Sequence, residues 1–215
     1  MPVQAKICGL TNPAALEAAV KGGARYVGFV FFPRSPRAIK PADAAALAAM
    51  LPRQVTPVGV MVDPADEQID AVLSAVKLPV LQLHGSESPE RVAAIGRRAG
   101  LSVMKAIKVG SEADVASAAP YEAAADMLMF DTRPIDPSKD TLPGGTGRSF
   151  DWSLVSGFSS SLPWMLSGGL HAGNVAEAVA ISGAKIVDVS SGVETAPGKK
   201  SPEKIATFLN AVRGL

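Results

Sequence analysis

A single cysteine, Cys8, occurs among the 215 residues. One thiol excludes an intramolecular disulfide framework, and with only two histidines, His84 and His171, it leaves too few ligands for a structural zinc site. No metal is expected, and the setting that fits is a reducing cytoplasm. Charge of one sign is also missing: Lys+Arg 21 against Asp+Glu 20 gives a formal net charge of +1. The basic residues are scattered rather than gathered on one stripe, so a nucleic-acid partner is not expected. No apolar run reaches the roughly 18 residues that a membrane span needs, and no apolar h-region precedes Lys6. The expectation is a soluble chain without an export signal.

Apolar residues are plentiful. They make up 47% of the chain, while charged residues are 19%, a balance that supports a packed core rather than disorder. Short β-rich runs recur at a spacing of roughly 25 residues. They are AKICGL near 5, YVGFVFF near 26, TPVGVMV near 56, PVLQLHG near 79, SVMKAIKV near 102, MLMFDT near 127, PWMLSGG near 163 and KIVDVSSG near 185. Between them lie alanine-rich segments of helical spacing, such as 12–23, 40–51 and 88–100. Several open Asn-Pro, Asp-Pro or Ser-Pro and several close on glycine, which are helix start and stop signals.

Eight βα units of this size predict a parallel sheet closed into a (β/α)8 TIM barrel, with residues 1–215 forming one domain. The alternative is an open doubly wound sheet, which ordinarily has fewer strands and carries a G-x-G-x-x-G turn that is missing here.

A barrel gathers function where its strands end, and those ends are polar: Cys8-Gly9-Leu10-Thr11, the stretch 32–37, Asp63, His84-Gly85, Asp131-Thr132, Ser167-Gly168-Gly169 and Ser190-Ser191-Gly192. Alternation along a strand turns Lys6 and Cys8 inward with Ile7 outward, Gln82 and His84 inward between Leu81 and Leu83, and Asp131 inward beside outward Phe130. Strands 1 and 6 then set Cys8 and Asp131 across the mouth from each other, where one residue can take a proton and the other give one. Lys6, one layer below Cys8, is a cation able to raise the thiolate fraction. Each residue also has a plainer role: Cys8 as a small buried hydrophobe, Asp131 as a helix N-cap, His84 as a satisfied structural histidine.

The glycine-bearing ends after strands 7 and 8 suit a phosphate, although such turns occur in every barrel. The stretch 142–152, with Gly144, Gly145, Thr146 and Gly147, reads as a lid over the mouth or as a flexible surface loop. Arg34 and Arg37 follow strand 2, where a guanidinium can pair with a carboxylate or phosphate, or simply face solvent.

These stretches resemble the phosphoribosylanthranilate isomerase family of tryptophan biosynthesis. The similarity runs through KICGLT at 6–11, FFPRSPR at 31–37, LQLHG at 81–85, FDT at 130–132, GGTG at 144–147, SGGL at 167–170 and DVSSGVE at 188–194. The resemblance implies Cys8 as general base, Asp131 as general acid, Arg37 on the anthranilate carboxylate, and the Gly168, Gly169, Ser190, Ser191 and Gly192 backbones on the phosphate. Ser167 stands where the family usually has alanine, and is expected to add a hydroxyl near that phosphate. The implied reaction is an Amadori rearrangement of a small phosphorylated substrate, without metal or organic cofactor, by a monomer or homodimer. Two other readings are an isomerase of the N-substituted aminosugars of histidine biosynthesis, which would have aspartate where strand 1 ends in Cys8, and a phospho-ligand sensor that has lost its acid or base.

Overall fold

The computed structural model describes residues 2–133, 144–145 and 147–215. Eight parallel strands close into a barrel in chain order: β1 (Gln4–Cys8), β2 (Tyr26–Val30), β3 (Thr56–Met61), β4 (Val80–Leu83), β5 (Ser102–Val109), β6 (Met127–Thr132), β7 (Trp164–Leu166) and β8 (Ile186–Val189). Each falls on one of the eight β-rich runs. Closure is made by β1 against β8, in a register that sets Lys6 beside Asp188. The open-sheet alternative is thereby set aside. No helix among the described residues is long and apolar enough to cross a membrane.

Among the described residues seven α-helices cover the barrel: α1 (Pro13–Gly22), α2 (Pro41–Ala49), α3 (Asp66–Ala75), α4 (Pro89–Ala99), α5 (Glu112–Ala116), α6 (Val175–Ser182) and α7 (Pro202–Arg213). Asn12 caps α1 by accepting from the Ala15 N–H, and Ser88 and Ser201 do the same for α4 and α7, each ahead of a proline in the first turn. Gly23 and Gly100 end α1 and α4 in the left-handed conformation.

One expectation fails locally. Asp63-Pro64 does not start a helix: α3 begins at Asp66. Asp63 sits at φ +43 in a turn, and its carboxylate accepts instead from the Ser86 N–H in the loop after β4. In the sixth connection the described residues hold a 3-10 turn, Trp152–Val155, and no α-helix. From 144 to 161 the chain is crowded with glycine and serine, which compete poorly for helix. An aromatic cluster anchors that connection: Phe158 and Trp164 meet Phe130 of β6 edge-on, at centroid distances of 4.8 and 5.6 Å. Each such pair adds about 0.5–1.5 kcal/mol beyond the area buried.

Side-chain alternation sorts the core into layers. Ile7, Leu81, Leu83 and Phe130 face outward and are buried under the helices. Met104, Ala106, Met129, Met165 and Ile186 plug the lower barrel. Above the plug, Cys8, Val30 and Val60 form a small apolar group at the mouth. After β8 the chain adds an antiparallel hairpin, β9 (Glu194–Ala196) and β10 (Lys199–Lys200). Its turn glycine, Gly198, has φ +79, and a Cβ there would lie 2.2 Å from the Pro36 carbonyl oxygen, so the hairpin turn presses on the loop after β2.

Candidate active site

The carboxyl ends of the strands surround a pocket lined among others by Cys8, Arg37, Gln82, His84, Asp131, Gly144, Gly145, Gly168, Gly169, Ser190 and Ser191. Three polar networks reach it, each rooted in a different part of the barrel.

The first lies beneath Cys8. Lys6 is fully buried, and its Nζ donates to Asp188 Oδ1 at 2.8 Å, while Ser167 Oγ donates to Asp188 Oδ2 at 3.1 Å. Two inward residues of β1 and one of β8 thus put a buried ion pair under a buried thiol. Burial pushes the Cys8 thiol above its ordinary pKa; the Lys6 ammonium opposes that rise, Asp188 adds to it, and Lys200 opposes it. Lys6 acts in the expected direction but is outweighed, so the resting group is the thiol. Burial also works against the Lys6 ammonium, yet Asp188 and Cys8 hold its pKa above the usual lysine value. Room for the sulfur comes from Gly28 on β2, where a Cβ would stand 2.9 Å from Cys8 Sγ. Ser167, expected to add a hydroxyl near the phosphate, donates that hydroxyl to Asp188 while lining the pocket.

The second network crosses from β4 to β6. His84 Nε2 is 3.0 Å from Asp131 Oδ2, and the Gln82 amide donates to His84 Nδ1 at 2.8 Å. With Nδ1 accepting, the imidazole hydrogen sits on Nε2 and is donated to the carboxylate. Asp131 Oδ1 accepts from the Thr132 N–H, and the residue lies inside β6 rather than at the head of a helix, so the N-cap alternative does not hold. Gln82 also reaches Met129 Sδ at 3.3 Å, but its Oε1 is buried with no partner. His84 is therefore structural and pocket-lining at once.

The third network joins the loop after β2 to the hairpin. Arg37 Nε and NH2 donate to Glu194 Oε1 and Oε2 at 2.8 and 2.9 Å, and NH2 also reaches the Gly145 carbonyl oxygen at 3.2 Å. Lys200 Nζ donates to Glu194 Oε1 at 2.7 Å and to Ser190 O and Oγ at 2.9 and 3.1 Å. Ser190 Oγ in turn donates to the Cys8 carbonyl oxygen. Arg34, by contrast, is exposed and does not line the pocket.

The glycines divide into two kinds. Gly168 and Gly169 have φ +91 and +61 and line the pocket, as a close-approach loop requires. Gly192 does not: a Cβ there would fall 2.0 Å from the Leu170 carbonyl oxygen, so it lets the loops after β7 and β8 touch. Of the 142–152 stretch, a Cβ on Gly144 would lie 2.7 Å from His84 Nε2 and 2.8 Å from Asp131 Oδ2, and one on Gly145 would lie 2.4 Å from Arg37 NH1. Gly147 is exposed at φ +78. Thr146 lies outside the described residues.

Asp188, Glu194 and Lys200 were not assigned roles from the sequence. Alternation along β8, with Val187 and Val189 packed outward, is the signal that turns Asp188 inward. For Glu194 and Lys200 the only hint is the Pro-Gly turn between two short polar runs.

A closed α/β barrel whose mouth sets an inward thiol and carboxylate beside glycine-rich loops belongs to the class of TIM-barrel enzymes. Residues 5–211 match the model of the N-(5'phosphoribosyl)anthranilate (PRA) isomerase family. A curated N-(5'-phosphoribosyl)anthranilate isomerase of Paramagnetospirillum magneticum is 55% identical over 214 residues, covering 100% of this chain and 99% of its own. The crystal structure of the isomerase from Thermotoga maritima superposes with a TM-score of 0.87 at 39% identity, over 99% of this chain and 100% of its own. A phosphoribosyl anthranilate isomerase solved with reduced 1-(o-carboxyphenylamino)-1-deoxyribulose 5-phosphate gives a TM-score of 0.84 at 38% identity, over 99% and 100% of the two chains. The chain belongs to the N-(5'-phosphoribosyl)anthranilate isomerase family, and it is an isomerase of tryptophan biosynthesis.

Proposed function

We propose that the pocket carries out the Amadori rearrangement of N-(5-phosphoribosyl)anthranilate to 1-(2-carboxyphenylamino)-1-deoxyribulose 5-phosphate by acid–base catalysis, with Asp131 as acid and Cys8 as base. The observation that carries this reading is that both side chains are buried and line one pocket from different strands, Cys8 above the Lys6–Asp188 pair and Asp131 bonded to His84.

Asp131 protonates the furanose ring oxygen, the C1–O bond breaks, and the anthranilate nitrogen supplies the electron pair that makes C1 an iminium. The Cys8 thiolate then takes the C2 proton, and the C2–H electrons flow into the C1=N bond to give an enolamine. Gain of a proton at C1 and loss of one from the C2 hydroxyl completes the ketone. The sulfur ends protonated and Asp131 ionised, and solvent resets the pair. A cationic iminium beside the thiol favours its ionised form, which offsets the burial that raises its pKa. Positioning and two proton carriers are the sources of rate.

Arg37 receives the anthranilate carboxylate, and the backbone around Gly168, Gly169, Ser190 and Ser191 receives the phosphate. Cys8 at the end of β1, where the aminosugar isomerases of histidine biosynthesis would carry aspartate, favours the anthranilate substrate. The enzyme is read as cytoplasmic, in keeping with its single free thiol. Met50 and Ile181 are the large hydrophobics exposed among the described residues, too few for an extended apolar interface, which favours a monomer over a homodimer.

The test is the decay of anthranilate-linked fluorescence with freshly made phosphoribosylanthranilate. Cys8→Ser and Asp131→Asn should each lower kcat by about 10²–10⁴ while circular dichroism stays native. Near-wild-type turnover in both would rule the mechanism out, and a wild-type protein with no turnover would favour a sensor.

A further inference from the structure

Among the buried charges that the proposed mechanism leaves without a task are Glu194 and Lys200 of the β9–β10 hairpin. Their side chains are about 5% and 0% exposed, yet they sit at the rim, where a surface hairpin ordinarily leaves its charges in water. Glu194 grips Arg37 through Nε and NH2, so of the three guanidinium nitrogens only NH1 has no hydrogen-bond partner among the described residues. NH1 lies against Gly145, itself a lining residue of the pocket. Charge points the same way. Arg37 and Lys200 contribute +2 and Glu194 −1, so the cluster carries +1 and is one anion short of neutral. A single carboxylate completes it.

We propose that Glu194 and Lys200 are positioning residues of the substrate site: Glu194 fixes the edge of Arg37 that meets the anthranilate carboxylate, and Lys200 ties that grip to Ser190 at the phosphate end. The two ends of the substrate are thereby gauged by one brace, because Lys200 bonds Glu194 with the same ammonium that bonds Ser190 O and Oγ. A bidentate fork holds a guanidinium at a set angle, which a single contact does not. This inference rests on the Arg37 reading given above.

The experiment measures KM and kcat for phosphoribosylanthranilate, together with competitive inhibition by anthranilate, which carries only the carboxylate, and by ribose 5-phosphate, which carries only the phosphate. Glu194→Gln should raise KM and the anthranilate inhibition constant by about tenfold or more, the scale of a charge-assisted pair. The ribose 5-phosphate constant and kcat should stay near wild type, which also shows that the variant is folded. Lys200→Met should weaken both inhibitors, since it touches both ends. An anthranilate constant unchanged in Glu194→Gln, or equal loss of both inhibitors there, overturns the proposal. Arg37→Ala is measured alongside. If it weakens anthranilate while Glu194→Gln does not, only the brace is wrong; if it does not weaken anthranilate, the Arg37 reading falls and the brace with it. Should Glu194→Gln fail to fold, the double variant Glu194→Gln/Lys200→Met removes both members of the pair and is read by the same anthranilate comparison.

Discussion

His84 Nε2 stands 3.0 Å from Asp131 Oδ2, joining β4 to β6 across the mouth of the barrel. The bond aims one oxygen of the carboxylate, and the Thr132 N–H takes the other, so the side chain has little freedom. If Asp131 is the acid, His84→Ala should lower kcat by about 10²-fold, the cost of a misplaced catalytic group, with KM much less affected. Steady-state kinetics check this, and an unchanged kcat would show that Asp131 needs no aim from His84.

If Cys8 is the base, its thiol sets the pH dependence. Burial raises the Cys8 pKa, and a base works only when deprotonated, so the fraction of active thiolate grows as pH rises toward that raised pKa. For the free enzyme, kcat/KM should therefore climb through neutral pH and level off only above the usual thiol range. Lys6→Met removes the ammonium that pulls the pKa down, so the limb should move to still higher pH and the rate at pH 7 should fall. A plot of log kcat/KM against pH decides it: a limb that stays in place would remove Lys6 from the control of Cys8.

Gly28 is a separate handle on the same sulfur. A methyl there would come within 2.9 Å of Cys8 Sγ and 3.2 Å of Cys8 Cα. Gly28→Ala should cost about 1–3 kcal/mol by overpacking and shift the thiol away from substrate. Denaturant unfolding and kcat, measured together, should both fall. A variant of normal stability and normal kcat would mean that the neighbouring strand yields without moving the sulfur.

Glu194 supplies a prediction in acid. Burial alone would raise its pKa, but the Arg37 hydrogen bond and the Lys200 ammonium more than reverse this and hold the carboxyl below its usual range. A folded-state pKa lower than the unfolded one, which is about 4.3, gives stability that is present above that pH and lost as pH falls through the lower folded value. Melting temperature should therefore drop more steeply below about pH 4.5 in the native protein than in Glu194→Gln. Parallel slopes for the two proteins would count against the linkage.

The eight strands and the inward set Lys6, Cys8, Gln82, His84 and Asp131 were legible because they follow from local rules: β-rich runs at regular spacing, and strict alternation along each strand. What escaped depends on partners remote in sequence. Asp63 reads as a helix cap beside Pro64 but bonds Ser86. Ser167 reads as a hydroxyl near the phosphate, and its bond to Asp188 is not visible from the sequence. Glu194 and Lys200 carry no signal of their own in the sequence: Gly198 lets the hairpin turn press on Pro36, and Glu194 then bonds Arg37 in that loop. Gly192 stands on the phosphate only through the resemblance, and the approach of Leu170 that its missing side chain allows joins loops that the sequence does not show together.

The register that seats Lys6 beside Asp188 joins residues 182 positions apart, the first strand of the barrel to the last. Until β8 docks, the ammonium under Cys8 has no counter-charge, and the thiol has no Ser190 against its carbonyl. If Cys8 is the base, turnover during refolding should appear only once the first and last strands have met, because the charge pair beneath the thiol is complete only then.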